Sequence, residues 1–144
     1  MRILGLLRAT KESEAGAPPD EGLMERMGPF LEEVMKAGVL VATDGLHPSV
    51  KGKRMKLEDG KMTITDGPFT ESKELVASYA LYEVKTMDEA VMWTRRFLEV
   101  LGKGECELRP IFDPADFEPG VFPAEQAERE AAWRKDMDER LTKS

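Results

Sequence analysis

The side chains best suited to acid–base chemistry lie in two short stretches of the sequence. Asp66 opens DGPFTESKE, residues 66–74, and His47, the only histidine, lies in the earlier stretch GLHP. Histidine titrates near neutral pH, so His47 is the natural proton donor or acceptor, and Asp66 would orient it. The two residues end neighbouring segments, and we predict that they meet. The alternative, commoner for a loop histidine beside a proline, is an exposed His47.

Aromatic and charged residues near Asp66 complete a candidate pocket. Lys73 or Arg109 would stabilise negative charge that develops on a bound molecule. In the alternative interpretation, neighbouring opposite charges form a solvated face and contribute little as exposed ion pairs. The predicted ligand-binding residues are Phe69, Glu71, Lys73, Tyr79 and Arg109.

Gly67 and Pro68 predict a stiff turn between Asp66 and Phe69. Glycine adopts backbone angles closed to other residues, and proline fixes its own φ angle. The turn would therefore hold the acid before it and the ring after it in defined places. A purely structural turn, with Phe69 as a plug in the core, is the main alternative to a functional site.

Composition argues against several classes of function. The net charge of −7 disfavours direct binding to nucleic acid. Cys106 is the only cysteine, which excludes an intramolecular disulfide and fits a reducing compartment. One histidine and one cysteine, without an acidic cluster at ligand spacing, predict no metal, and no glycine-rich phosphate loop points to a cofactor. No apolar run reaches membrane-spanning length, so we predict a cytoplasmic protein without cofactors.

Hydrophobic periodicity predicts the order β, α, β, hairpin, β, α, β and then an appended helix. A first helix is expected from an N-cap at Asp20 to Gly38, kinked at Pro29, and a second from a capping box at Thr86 to Gly102. Residues 10–22 read as a loop. Strands are predicted at residues 3–7, 39–43, 76–84 and 105–112, with 76–84 central in the sheet.

The sequence Glu58-Asp59-Gly60 is the clearest turn signal and predicts a β-hairpin. Met55 and Leu57 alternate with basic residues, which predicts that one face of the hairpin is buried. Further along, residues 124–142 predict a long helix with a narrow apolar seam. We divide the chain into an α+β domain, residues 1–115, and a linker with a helix extension, residues 116–144.

Two helices on one face of an antiparallel sheet define an α+β fold of the ferredoxin-like, dimeric α+β barrel type, here with an added C-terminal helix. The other face of such a sheet would expose apolar surface in a monomer. We therefore predict a homodimer formed by sheet packing.

The pieces AGVLVATDGLHPS, TDGPFTESKELV and DEAVMW resemble the YCII-related family, in its DGPF branch. The resemblance covers about residues 1–113 and implies a dimeric ferredoxin-like fold with a mainly uncharacterised role. It also implies an association with extracytoplasmic-function sigma factors. Some relatives carry a His–Asp pair with the histidine on the first helix. The matching helix here, DEGLMERMGPFLEEVM, contains no histidine, so that role does not transfer.

Two functional hypotheses follow. In the first, a cytoplasmic dimer binds a small organic molecule between its helix layer and its sheet, near His47, Asp66, Phe69 and Tyr79, with or without cofactor-free proton transfer. In the second, the chain is a non-catalytic interaction module with a structural DGPF turn, and its acidic surface or the helix carrying Trp133 binds a regulatory protein.

Overall fold

The computed structural model of the protein describes residues 1–121 and 123–143, and it describes Ser72 without its side chain. Phe122 and Ser144, which belong to the predicted C-terminal extension, lie outside the described residues. The chain divides into two compact units, Met1–Ile111 and Phe112–Ser144.

A four-stranded antiparallel sheet forms the centre of the first unit. Its strands are β1 (Arg2–Arg8), β2 (Leu40–Gly45), β5 (Val76–Glu83) and β6 (Cys106–Pro110), in the spatial order β2-β5-β1-β6. This is the strand order of a ferredoxin-like fold, with a hairpin inserted between the second and third strands of the sheet. The predicted fold class and the central position of β5 are both confirmed.

Two helices pack on the same face of this sheet: α2 (Leu23–Ala37) and α3 (Met87–Leu101). Side chains alternate along a strand, so the odd-numbered residues of β1 point toward the helices and include Ile3, which is fully buried. The core between helices and sheet consists of Ile3, Phe30, Val34, Val39, Tyr82, Val84, Ala90 and Trp93.

The start of the first long helix differs from its prediction. The N-cap is Gly22, with a left-handed φ of 87°, whereas the Asp20 carboxylate accepts a charge-assisted bond of 2.7 Å from Arg26. The predicted loop also contains a single helical turn, α1 (Lys11–Glu14), which is too short to show an apolar period. The helix α2 runs without interruption through Pro29 and ends at Gly38, as expected.

The capping box of α3 is confirmed in part. Thr86 Oγ1 accepts a hydrogen bond of 3.2 Å from the amide of Glu89, as predicted. The Glu89 carboxylate, however, accepts from the amide of Lys85 at 3.0 Å and not from that of Thr86. The helix ends at Gly102, whose φ of 85° is open to glycine and strained for other residues.

The predicted hairpin forms a separate two-stranded sheet of β3 (Lys53–Glu58) and β4 (Lys61–Asp66). Its turn residues Asp59 and Gly60 have φ angles of 52° and 76°, as a tight two-residue turn requires. The prediction that Met55 and Leu57 lie on a buried face is wrong for the single chain. Both are exposed, because neither long helix packs extensively on the hairpin.

The second unit contains a 3₁₀ turn, Pro114–Asp116, and the helix α4 (Ala124–Lys143). Three ion pairs lie along α4, each between residues one helical turn apart. The apolar seam of this helix carries Trp133 and Met137, both more than half exposed. Among the described residues, no helix is both long and apolar enough to cross a membrane. The ion pairs are Glu125–Arg129, Glu130–Arg134 and Asp136–Arg140.

Candidate functional site

A cavity of about 90 Å³ lies between the two long helices and the sheet. Helices contribute aromatic and aliphatic side chains to it, and all four strands of the main sheet contribute to its floor. The lining residues are Gly5, Leu7, Phe30, Leu31, Val34, Leu40, Thr43, Ser78, Tyr79, Ala80, Tyr82, Thr94, Phe97 and Cys106.

Gly5 and two aromatic rings, those of Phe30 and Phe97, contribute to the walls of the cavity. Gly5 places no side chain at the centre of β1, and a Cβ built there would meet Tyr82 and Leu108 at 3.3 Å. Above it, the rings of Phe30 and Phe97 stand 6.4 Å apart and tilted. Aromatic pairs of this kind are held by edge-to-face attraction as well as by burial.

The mouth of the cavity is at the β2 side of the helix layer. Leu31 is 39% exposed and Thr43 is exposed, whereas the lining residues Phe30 and Val34 are buried. The Thr43 hydroxyl donates a hydrogen bond of 2.8 Å to the carbonyl oxygen of Tyr79, which fixes one wall of the mouth.

Thr94 carries a buried hydroxyl that has no hydrogen-bond partner among the described residues. The residue is only 7% exposed and lines the cavity. A buried hydroxyl without a partner costs roughly 1 to 3 kcal/mol, so such groups are uncommon in folded proteins. Trp93 also buries an unpartnered ring nitrogen, but it does not line the cavity.

The ionisable groups that line the cavity are uncharged at neutral pH. Burial raises the pKa of Tyr82 above its ordinary value of 10.0. The Thr94 hydroxyl offsets part of this rise in the pKa, although the two groups do not meet hydrogen-bond geometry. Burial likewise raises the pKa of the Cys106 thiol, and a hydrogen bond to Asp44 raises the pKa of Tyr79. The cavity therefore presents no charge to a ligand.

The predicted catalytic pair is not brought together. Asp66 lies opposite Lys53 in the hairpin, and the Lys53 ammonium donates to the Asp66 carboxylate at 2.5 Å. His47 is exposed, and within the described part of the chain it makes no hydrogen bond or ion pair with Asp66. The reason is the hairpin register, which gives Asp66 a partner of its own. Neither residue lines the cavity.

The DGPF turn packs tightly against the 3₁₀ turn Ser49–Lys51. The Gly67–Pro68 peptide is cis, and the Gly67 amide donates to the carbonyl of Gly52 at 3.0 Å. A Cβ built on Gly67 would lie 1.7 Å from the Ser49 carbonyl oxygen, where no side chain fits. The close backbone approach explains why position 67 is a glycine, and the stiffness of the turn stays a prediction.

A carboxylate that was not among the predicted site residues, that of Glu14, binds the 3₁₀ turn beside the DGPF turn. The carboxylate of Glu14, at the end of α1, accepts a hydrogen bond of 2.5 Å from the Ser49 hydroxyl and one of 3.1 Å from the Ser49 amide. The Ser49 hydroxyl in turn accepts a hydrogen bond of 3.0 Å from the Phe69 amide. The three residues form one hydrogen-bonded chain from α1 to the DGPF turn, and we call it the Glu14–Ser49–Phe69 bridge.

Phe69 is half-buried beneath a cation and does not belong to the core. The Arg54 guanidinium stands 4.1 Å above the centre of its ring, a cation–π contact. A Cβ on Gly52 would lie 3.7 Å from the ring, so the ring packs on backbone. The core-plug interpretation of Phe69 is thus wrong, because the turn lies beside the hairpin and not under the helices.

The remaining predicted ligand-binding residues lie outside the cavity, with one exception. Glu71 and Lys73 are exposed, as expected for a solvated face. Arg109 is 70% exposed and approaches Glu107 at 3.3 Å. Tyr79 lines the cavity, but its hydroxyl donates a hydrogen bond of 3.1 Å to the Asp44 carboxylate.

Apart from Tyr79, the residues that line the cavity were not among the predicted site residues. Phe97 and Thr94 follow the helical period of α3, which makes them indistinguishable from packing residues by spacing alone. The one available signal was a hydroxyl in an apolar stripe, at Thr94. Within residues 1–121 and 123–143, no three His, Cys, Asp or Glu side chains are grouped as metal ligands.

Comparisons with known proteins place this geometry in context. A curated relative is the uncharacterised protein R00369 of Rhizobium meliloti (strain 1021), which is 27% identical over 106 residues, 73% of this chain and 83% of that protein. A similar solved structure is 5-chloro-2-hydroxyhydroquinone dehydrochlorinase (TftG) from Burkholderia phenoliruptrix AC1100 in complex with 2,5-dihydroxybenzoquinone. Its TM-score is 0.42 at 11% identity, and the match covers 82% of this chain and 100% of that chain.

The family comparison covers the whole of the first unit and residues 112–114 of the second. Residues 1–114 match the family model described as the YCII-related domain. The match contains α2, α3 and the six strands of the described residues. The chain therefore belongs to the YCII-related family.

Proposed function

We propose that the protein binds a small, neutral, mainly apolar organic molecule in the cavity between the helices and the sheet. One observation carries this proposal. The Thr94 hydroxyl is buried in the cavity wall and has no partner among the described residues. A ligand that supplies one hydrogen-bonding group would satisfy it.

The chemistry of the lining defines the class of ligand. Ligand sites are mostly apolar surfaces with a few placed polar groups, and the cavity combines aromatic and aliphatic side chains with the Thr94 and Tyr82 hydroxyls. The raised pKa values of Tyr82 and Cys106 keep both groups protonated near neutral pH. A charged ligand would find no counter-ion in this lining, so the ligand is neutral.

The size of the cavity limits the ligand further. Its volume of about 90 Å³ is smaller than the roughly 150 Å³ of a cavity known to admit benzene. A ring would therefore occupy the cavity only by extending into the mouth between Leu31 and Thr43. The fitting ligand is a small alcohol or a monocyclic molecule with one hydroxyl group.

The proposal concerns binding and does not include proton transfer. His47 and Asp66 lie outside the cavity, and Asp66 is engaged by Lys53. Since a general base must reach the proton that it removes, these two residues are poorly placed to act on a molecule bound there. Each copy of the expected homodimer would hold one such binding site.

Phenol and benzene are matched probes for this site because they differ by one hydroxyl. We expect the protein to bind phenol about fivefold more tightly than benzene, the ratio that one net hydrogen bond of about 1 kcal/mol gives. Thr94→Val keeps the shape of the residue and removes its hydroxyl, so it should lose the preference for phenol over benzene. Titrations followed by NMR would report both the affinities and the residues that shift.

Two controls make this test decisive. His47→Ala changes a residue outside the cavity and should leave both affinities unchanged. Phenol should also slow the reaction of Cys106 with a thiol reagent, since Cys106 lines the cavity. Shifts scattered over the surface, or the same preference for phenol in Thr94→Val, would contradict the proposal.

A further inference from the structure

We propose that the ligand carries its polar group in the middle of an aliphatic chain, as an internal alcohol or ketone does. One arm of the chain lies in the cavity, and the other lies in a groove on the far side of Thr94. The inference rests on the proposed function, because it needs a neutral ligand that bonds to Thr94. It adds a second binding space and a narrower ligand class to that function.

A groove of about 580 Å³ lies between α3 and β6. Its apolar walls come from Val91 and Leu98 of α3 and from Leu108 of β6. Val91 is 40% exposed, whereas Leu98 and Leu108 are half-buried. The groove is therefore an apolar surface that is open to solvent and roomy enough for a short hydrocarbon chain.

The groove and the cavity have two lining residues in common. Thr94 of α3 and Cys106 of β6 line both spaces. The mouth of the cavity is at the β2 side, and β6 is the strand at the opposite edge of the main sheet. Thr94 and Cys106 therefore separate the two spaces. Both side chains are small, so the wall that they form between cavity and groove is thin.

The polar group in this wall is the Thr94 hydroxyl. It is buried, and it has no hydrogen-bond partner among the described residues. A ligand with a terminal polar group can satisfy this hydroxyl from one space only. A ligand with its polar group in mid-chain can satisfy it and also place an apolar arm on each side. The second arrangement removes more apolar surface from water, which favours binding.

The charged residues of the groove do not change the ligand class. Arg95, Glu99 and Lys103 line the groove, and all three are exposed. Exposed charges are screened by water and gain little from pairing. Two cations and one anion also oppose one another in their effect on a charged ligand. The arm in the groove is therefore apolar, like the arm in the cavity.

The isomers 4-heptanol and 1-heptanol are matched probes, because they differ only in the position of the hydroxyl group. 4-Heptanol can fill both spaces and bond to Thr94, whereas 1-heptanol must give up one or the other. We expect 4-heptanol to bind about fivefold more tightly in NMR titrations, the ratio that one net hydrogen bond gives.

Methyl signals in the same titrations locate the two arms. Leu31 and Val34 line the cavity only, and Val91 and Leu98 line the groove only. 4-Heptanol should shift the methyl signals of both pairs. Phenol, which the cavity and its mouth accommodate, should shift the cavity pair.

Val91→Gln tests the groove by making one of its walls polar. It should lower the affinity for 4-heptanol, relative to that for phenol, about threefold. The matched control is Met92→Gln. Met92 is the next residue of α3, is 42% exposed and lines neither space, so this variant should leave both affinities unchanged.

Failure of this inference can be distinguished from failure of the proposed function. The inference is overturned if phenol binds in the cavity but 4-heptanol binds no more tightly than 1-heptanol or shifts the cavity methyls alone. Equal effects of Val91→Gln and Met92→Gln would overturn it as well. In each of these cases the proposed function stands. If neither phenol nor 4-heptanol shifts the cavity methyls, the proposed function fails and this inference fails with it.

Discussion

The cavity and the DGPF turn differ in a simple way: ordinary residues surround the open space of the cavity, whereas a distinctive motif forms the closely packed turn. The cavity is lined by residues that read as ordinary packing positions, yet it leaves open space beside an unpartnered Thr94 hydroxyl. The turn has the most distinctive sequence in the chain, yet its backbone is in close contact with the 3₁₀ turn at Ser49–Lys51 and is bound to it by hydrogen bonds.

The difference shows that a distinctive motif can arise from a demand of packing. Gly67 is needed because no side chain fits beside the Ser49 carbonyl. Phe69 is placed by its amide bond to Ser49 and by Arg54 above its ring. A binding cavity needs no such motif, since apolar walls and one placed hydroxyl can be drawn from common helix and strand residues.

Gly67→Ala should have the largest effect on stability. Its Cβ would lie 1.7 Å from the Ser49 oxygen and 2.6 Å from the Ser49 carbonyl carbon, so backbone must move. We expect a loss of about 3 kcal/mol or more in the free energy of unfolding, measured by urea denaturation.

Gly28→Ala is the matched control for Gly67→Ala. Gly28 lies inside α2, and a Cβ there meets nothing within 4 Å. Alanine is the better helix former, so this variant should gain up to about 1 kcal/mol. Equal stabilities for the two variants would show that the turn is not packed as described.

Ser49→Ala should have the next largest effect, because it breaks the Glu14–Ser49–Phe69 bridge. The Phe69 amide loses its acceptor and Glu14 loses its shortest donor. The expected loss in the free energy of unfolding is about 1 to 2 kcal/mol. A double-mutant cycle with Glu14→Gln should show that the two losses are not additive, whereas strict additivity would mean that the bridge does not act as a unit.

The fold could be predicted because its signals are local and mutually consistent. Asp59 and Gly60 specify the hairpin turn through their positive φ angles, and Gly38 and Gly102 end the two long helices in the same way. The start of α2 was missed since Asp20 is a suitable N-cap by type, but Arg26 binds its carboxylate instead. Side-chain competition of this kind is not encoded in residue spacing.

The candidate site could be predicted only in general terms. The expectation of a ligand cleft between helices and sheet coincides with the cavity, and Tyr79 is the one selected residue that lines it. His47 and Asp66 were selected by chemical type, but their contact depended on hairpin register, which pairs Asp66 with Lys53. The exposure of Met55 and Leu57 could not be predicted from their alternation with basic residues. Such a pattern shows that one face of a strand is apolar, but it does not show what covers that face.

Tyr82→Phe should have a smaller effect that appears only at alkaline pH. Burial raises the pKa of folded Tyr82 above the unfolded value of 10.0, so above that pH the unfolded chain releases a proton that the folded chain keeps. The stability contribution of Tyr82 is therefore complete below pH 10 and is lost as the pH rises toward the folded pKa. Relative to Tyr82→Phe, the unmodified protein should lose more of its free energy of unfolding between pH 9.5 and 11 in denaturant titrations. If the free energy of unfolding fell equally with pH in both proteins, the Tyr82 hydroxyl would be solvated in the folded state.

His47→Ala should have the smallest effect on stability. It tests whether the ligand binds near the DGPF turn and not in the cavity. His47 is exposed and lines no part of the cavity, so its removal should change the free energy of unfolding by less than about 0.5 kcal/mol. The affinity for phenol should stay the same, in contrast to the loss expected for Thr94→Val. If His47→Ala weakened phenol binding while Thr94→Val did not, the ligand would sit at the loop beside the DGPF turn. The distinctive sequence would then mark the site after all, and the cavity would be a packing defect.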